Sequence, residues 1–450
     1  MLSKEPFKHG SFFEKLFLMK TIKSYLIIYQ TIVLTNMNQN INSKFFEIKK
    51  NHFKTLKITL LLTLLLGFIG CGSDSEEEPG NENATEILKE SYTIDRFKVL
   101  NILPNLPENS KFTWSIKDSV ISENTQLEFI TPYLKNYPLT LKVETNGVLK
   151  TYQSIINVTK ESGNYSKYIS NVFDFRPAIG QFTNGIPEYV EGNTESNMIS
   201  AAKKSLVGSN ATMISLGGFG GYVVFGFDHT IPNMNGRDFK VLGNAFWGSE
   251  TDAVLSGSCE AGIILVAYDK NKNGKPDEDE WYEIAGSEYF KNTTLKNYSI
   301  TYFKPDPNKT PVAGTEFWQT DVEYIKWQDN HGNSGYKTKN AFHDQSYYPL
   351  WISNASYTLT GTKLEDNFYD QSGTGNYWVG KSFDFGYADN APNNDEGSNI
   401  DISWAVDKNG NYVKLPGIDF VKVYTGVNQE AGWLGEVSTE VSGAYDLYFN

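Results

Sequence analysis

Cysteine is nearly missing from this 450-residue chain, which has only Cys71 and Cys259. Two thiols cannot build a disulfide framework or a thiolate zinc cluster, and no CxxC pair is present. Basic residues are also short, 40 Lys and Arg against 53 Asp and Glu with an isoelectric point near 5.0. Such a balance excludes the basic stripe that displaces counterions from nucleic acid. No nucleophile elbow, HExxH zinc helix or phosphate loop occurs. The glycine-rich "GGFGGYVVFG" opens a strand, whereas phosphate binding needs a helix N-terminus behind it. The enzyme class left open is a glycosidase, which requires only two carboxyls at a working separation.

Long apolar runs are scarce as well. The stretch Ile58 to Ile69 follows Lys49, Lys50, Lys54 and Lys57 and is too short to span a bilayer comfortably. It ends in Phe68, Ile69, Gly70 and Cys71, an order that resembles a bacterial lipoprotein signal with its lipobox, although Phe68 replaces the usual leucine. The resemblance implies cleavage before Cys71, acylation of that residue and a stable lipid anchor. Residues 1–70 are therefore expected to be a signal region. A second apolar stretch, "SYLIIYQTIVL", fits no lipoprotein layout and suggests Met37 as the true start. The following "GSDSEEE" resembles the acidic export tag of Bacteroidetes surface lipoproteins, placing the protein on the outer face of the outer membrane. Residues 71–90, acidic and rich in Gly, Pro and Asn, read as a flexible tether.

From there the chain is all-β in character. Residues 91–160 contain five short alternating runs, among them "KFTWSI" and "LTLKVET", separated by turn residues. This segment resembles the PKD-like, immunoglobulin-type spacer modules of Bacteroidetes surface proteins. Residues 165–450 carry ten to twelve further strand signals, including "GGYVVFGFDH", "GIILVAY", "YPLWIS" and "IDFVKVYTG". One helix is expected, in "SNMISAAKKSLVG", with Ile199, Ala202 and Leu206 on one face. So many strands at short spacing predict a larger double-sheet sandwich of jelly-roll type. "SLGGFGGYVVFGFDHTIPNMNGRDFKVLGNAF" with "GEVSTEVSG" resembles bacterial cell-surface proteins with a galactose-binding-like jelly roll. Cys259 has no partner and is expected to be a small buried or half-buried residue.

The sharpest local motif is "DKNKNGKPDEDEW". Asp269, Asn271, Asn273, the Lys275 carbonyl, Asp277 and Glu280 occupy positions 1, 3, 5, 7, 9 and 12 of a calcium loop, with Gly274 at the sharp turn. Strand-like flanks replace the usual helices, so the expected role of calcium is to clamp a connection between strands. In that setting Glu280 is the ligand most readily replaced by another oxygen. A bare turn is the alternative, because Asp, Asn and Gly favour turns for backbone reasons. The shorter "DKNG" at Asp407 to Gly410 reads as a turn only. "YADNAPNNDEGSNID", with Asp389, Asp395 and Asp401, lacks ligand spacing and reads as a loop.

A second cluster gathers Trp327, His331, His343, Asp344, Tyr347, Tyr348 and Trp351. Flat rings beside amides and carboxylates grip sugars, but aromatic residues also fill strand cores. The function expected is a calcium-stabilised surface module binding carbohydrate through Trp327, His343, Asp344, Tyr347, Tyr348 and Trp351. The alternatives are capture of a small nutrient such as a corrinoid for an outer-membrane transporter, a polysaccharide hydrolase, and a structural adhesin.

Overall fold

The computed structural model describes residues 87–107, 109–209, 212–249 and 254–449. Cys71, the signal region and most of the tether lie outside the described residues. The described chain falls within one compact unit, Thr85–Asn450. None of its helices is long and apolar enough to cross a membrane.

The small sandwich forms where the alternating runs predict it. In "NYPLTLKVET" every second residue is buried, so the Asn136–Thr145 strand presents one apolar face to Trp114, Leu127 and Ile156. A two-residue turn joins it to Val148–Thr159, with Asn146 and Gly147 at positive φ of 52° and 79°. That turn twists in the sense the paired strands require. The resulting five-stranded sheet runs Ser91–Asp95, Val148–Thr159, Asn136–Thr145, Lys111–Ile116, Ser119–Ser122. Its outer strand Ser91–Asp95 pairs in parallel with the Val148–Thr159 strand. The short pair Leu100–Ile102 and Leu127–Phe129 forms a second sheet.

The larger body is built on a six-stranded antiparallel sheet. Its order is Ala405–Val406, Trp281–Ile284, Gly262–Ala267, Gly417–Thr425, Tyr222–Pro232, Asn171–Arg176. The central Gly262–Ala267 strand reads as a continuous apolar run because both of its faces are covered. Ile264 and Val266 enter a core shared with Phe225, Phe239 and Ile400, and with Met198, Ala202 and Leu206 of the Glu195–Leu206 helix. Ile263 and Leu265 point the other way, into a tyrosine-rich core with Tyr298, Tyr302, Tyr357 and Tyr424. That second core is closed by a four-stranded sheet ordered Ser334–Asn340, Gln319–Asp329, Leu295–Phe303, Ser356–Lys363. The all-β class, a small sandwich followed by a larger one, is thus observed.

Two details differ from the sequence reading. "YPLWIS" is a succession of turns, closed by Ile352 N–H donating to Pro349 O at 3.1 Å. In the helix Met198 takes the buried place and Ile199 is half-buried, since Thr194 caps the helix and sets its rotation. Cys259 is buried and free, as expected.

The small sandwich seats on the body through Phe97. This residue holds a left-handed φ of 65°, is 2% exposed, and packs its ring 4.9 Å from His229 and 5.2 Å from Phe449. Arg96 stacks over the same rings and pairs with Glu161. Replacing Phe97 with alanine should cost about 3–5 kcal/mol, the range for a buried aromatic ring. Urea unfolding followed by tryptophan fluorescence should then change from one transition to two, with the small sandwich melting first.

Candidate functional site

One end of the central sheet opens into a cleft of about 440 Å³. Three segments far apart in sequence meet there. Glu260 stands two residues before the Gly262–Ala267 strand, Asp389 lies on the segment paired with that strand's start, and Glu440 opens the short Glu440–Val441 strand. Gly262 makes the meeting possible. Its backbone exchanges two hydrogen bonds of 2.9 Å with Ala388, and a Cβ there would sit 2.7 Å from Thr439. Any side chain at 262 would push the 388 and 439 segments away and separate the carboxyls.

One carboxylate oxygen from each of Glu260, Asp389 and Glu440 lies within 4.8 Å of the others. Asp389 is anchored by the N–H groups of Asn244, Ala245 and Glu440 at 2.8–2.9 Å. Glu440 accepts from the Ser438 hydroxyl at 2.7 Å, and Glu260 from Ser438 N and Ser258 Oγ. No Lys or Arg pairs with any of the three among the described residues. Burial, followed by the neighbouring negative charges, therefore pushes Glu260 and Asp389 well above the carboxylate range. Glu440 is also raised by burial. Oxygens gathered this closely could accept ligand hydroxyls or a divalent cation.

The mouth is aromatic. A tight turn at Gly432–Leu434, closed by Ala431 N–H donating to Gly435 O at 2.8 Å, holds Trp433 outward. Gly432 and Gly435 stand at φ of 55° and 91°, and a Cβ at either would strike Trp378 or Gln181. Trp433 packs edge-on to Phe342 at 6.2 Å, and Phe342 to Phe317 at 6.1 Å. These rings are 38%, 54% and 83% exposed, so three in succession face solvent beside the cleft. Gln181 braces the turn by donating to Leu434 O at 2.7 Å, while its own backbone N–H donates to Glu436. Burial pushes Glu436 up to about 8. His343, edge-on to Phe182 at 4.9 Å, is held below its usual range by burial and stays neutral at pH 7.

The residues expected from sequence separate. His343 lines this cleft, whereas Asp344 and Tyr348 line a neighbouring one of about 610 Å³ with Lys304, Lys309 and Tyr324. Tyr347 and Tyr348 are 2% and 1% exposed, and their rings belong to the tyrosine core. Trp351 stacks between Phe175 and Tyr189, and Trp327 packs half-buried against the same core under Gly335. Residue type signalled rings here, but their exposure follows from the turn at 341–352 and not from the sequence pattern. Glu260, Phe342, Trp433, Glu436 and Glu440 were missed. The one local signal for Trp433 was its flanking glycines.

No family model and no curated protein matches this chain. Among solved structures, a quinonprotein alcohol dehydrogenase-like protein from Bacteroides thetaiotaomicron is 14% identical, with 34% of each chain covered and a TM-score of 0.15. The chain thus spans about a third of that protein's length. A SusE-like protein is 8% identical, over 75% of this chain and 87% of that one, with a TM-score of 0.26. Overlaps of this quality carry no argument about family or ligand.

The carboxyls do generate a pH dependence. A folded pKa raised above the unfolded value means that the native state holds more protons, so stability is lost as pH rises from about 4.5 toward 8. The melting temperature should fall by about 2 °C between pH 5 and pH 8.5, roughly 1–2 kcal/mol for a unit of this size. Glu436→Gln, which keeps an oxygen for the Gln181 N–H, should flatten that fall in a calorimetric pH series.

Proposed function

We propose that this protein is a surface-displayed, lipid-anchored module that binds a carbohydrate in the cleft between Trp433 and Glu440. The observation that carries this reading is the row of solvent-facing rings Phe317, Phe342 and Trp433 bordering an acidic, hydrogen-bonding floor. Sugar rings lay their C–H faces on aromatic faces, and their hydroxyls donate to carboxylates and accept from amides. Glu260, Ser258 and Asn244 line the same cleft and supply those partners. The lipobox-like order Phe68, Ile69, Gly70, Cys71 and the acidic run after it support display outside the outer membrane. An anchored binder of that kind hands its ligand to an outer-membrane transporter. A floor of acids favours a polyhydroxylated ligand over a corrinoid.

A hydrolase acting on surface polysaccharide is the second reading, favoured by the Glu260 and Glu440 pair. Affinity electrophoresis of the purified protein through a panel of polysaccharides separates the two. Binding predicts retention without release of reducing ends, weakened about tenfold or more by Trp433→Ala or Phe342→Ala, as for buried aromatic anchors. Release of reducing ends that disappears in Glu260→Gln would establish the hydrolase. Retention on no polysaccharide, or retention indifferent to Trp433→Ala, would remove the carbohydrate reading of this cleft.

A further inference from the structure

We infer that the Asp269 to Glu280 loop is a calcium site, built at the opposite end of the central strand pair from the carbohydrate cleft. Its side chains converge. The Asp269 carboxylate receives the N–H groups of Asn273 at 3.0 Å and Gly274 at 2.8 Å, which wraps the backbone around it. Asn271 and Asn273 both direct their side-chain amides at one atom, Asp277 Oδ2, at 2.6 and 2.7 Å. The amide oxygens of Asn271 and Asn273 meanwhile accept the N–H groups of Asn273 at 2.9 Å and Lys275 at 2.7 Å, so both oxygens lie inside the loop. Gly274 takes φ of 71° at the sharp turn, with open space where a Cβ would stand.

A turn explains all of that without an ion, and Asp407 shows what such a turn looks like. There the carboxylate collects the N–H groups of Asn409 and Asn411 and no more distant acid joins it. The Asp269 loop is different because of Glu280. This side chain is 3% exposed, and its Oε1 accepts the N–H of Lys270, so the carboxyl faces the loop. Its Oε2 is buried with no hydrogen-bond partner. A carboxylate oxygen buried without a partner is costly, and a hairpin turn has no need of it. A cation completes it.

The surroundings leave the charge uncompensated. Asp419 accepts the Asp269 N–H at 2.8 Å and brings a further carboxylate beside the loop. Lys270 is turned onto the Tyr282 hydroxyl and ring. Among the described residues no Lys or Arg pairs with Asp269, Asp277 or Glu280. All the donors are oxygen: Asp269, Asn271, Asn273, the Lys275 carbonyl, Asp277 and Glu280. A flexible set of hard donors takes calcium, whereas magnesium demands a tight octahedron and zinc prefers nitrogen or sulfur. Asp269, Lys272 and Gly274 also line a cleft with Phe97, Lys98 and His229, so the ion stiffens the side of the body on which the small sandwich sits.

The test is calorimetric titration of the chelator-stripped protein with calcium chloride, beside terbium luminescence excited through Trp281. One saturable site is expected, with a dissociation constant of about 0.1–1 mM, as in extracellular modules. At about 10 mM calcium the melting temperature should rise by about 2–4 °C. Glu280→Gln should weaken binding at least tenfold. The double variant Asn271→Ala, Asn273→Ala changes only exposed side chains and should do the same in a protein with unaltered circular dichroism. Asp407→Ala should leave binding unchanged. Absence of saturable binding up to about 10 mM, or binding undiminished in both loop variants, would overturn the site.

Discussion

The body depends on one antiparallel pair, Gly262–Ala267 against Gly417–Thr425, covered on both faces with only Leu265, Asp419 and Lys422 half-buried. Alternate side chains of the first strand feed two different cores, Ile264 and Val266 on one side and Ile263 and Leu265 on the other. A one-residue slip would exchange the two sets, placing β-branched residues cut for the helix-covered core into the tyrosine core. Register is therefore fixed twice over. That rigidity is what allows loops at either end of the pair to hold side chains in place.

The two candidate sites follow from the two ends of this pair. Glu260 precedes the first strand, and the turn bearing Trp433 and Glu436 follows the second. Asp269 follows the first strand, and Asp419 lies near the start of the second, joined to it by a hydrogen bond. Six strand residues span about 20 Å, so the sites are separated by more than a Debye length at physiological salt. Their charges are screened from one another. Any influence of one on the other has to pass through strands that have no second arrangement to adopt, which makes the sites energetically separate neighbours on a common frame.

How far the sequence discloses these features depends on how local each is. Period-two alternation in "NYPLTLKVET" marks a half-buried strand, and the positive-φ pair Asn146 and Gly147 marks its turn. The oxygen ladder from Asp269 to Glu280 is equally local. Even there the sequence ranks the ligands differently: Glu280, the most replaceable by spacing alone, is the buried one with an unpartnered oxygen. The cleft is nowhere local. Asp389 sits in a polar run that reads as a loop, and the backbone pairing of Ala388 with Gly262 and of Asp389 O with the Glu260 N–H carries it to Glu260 and Glu440. Aromatic content fails in the opposite direction. Tyr347 and Tyr348 fill a core while Phe342, five residues earlier, faces solvent, because a turn without regular periodicity decides which rings point out.

The buried acids bear on why such a cleft exists at all. Three carboxyls gathered without a basic partner are a poor way to stabilise a sandwich, since each resists ionisation and apolar residues of similar size would pack with no such penalty. Backbone N–H groups satisfy Asp389 almost completely, which accounts for it as a brace between the 244 and 440 segments. Glu260 is not explained in that way. It is half-buried and lines the cleft, with one oxygen on a backbone N–H and the other on a hydroxyl. A carboxyl whose ionisation is opposed by burial can, once protonated, donate as well as accept a hydrogen bond, which a carboxylate cannot. On the proposed reading, that dual capacity suits a ligand whose hydroxyl groups do both, with specificity assigned to the acids and grip to the rings at the mouth.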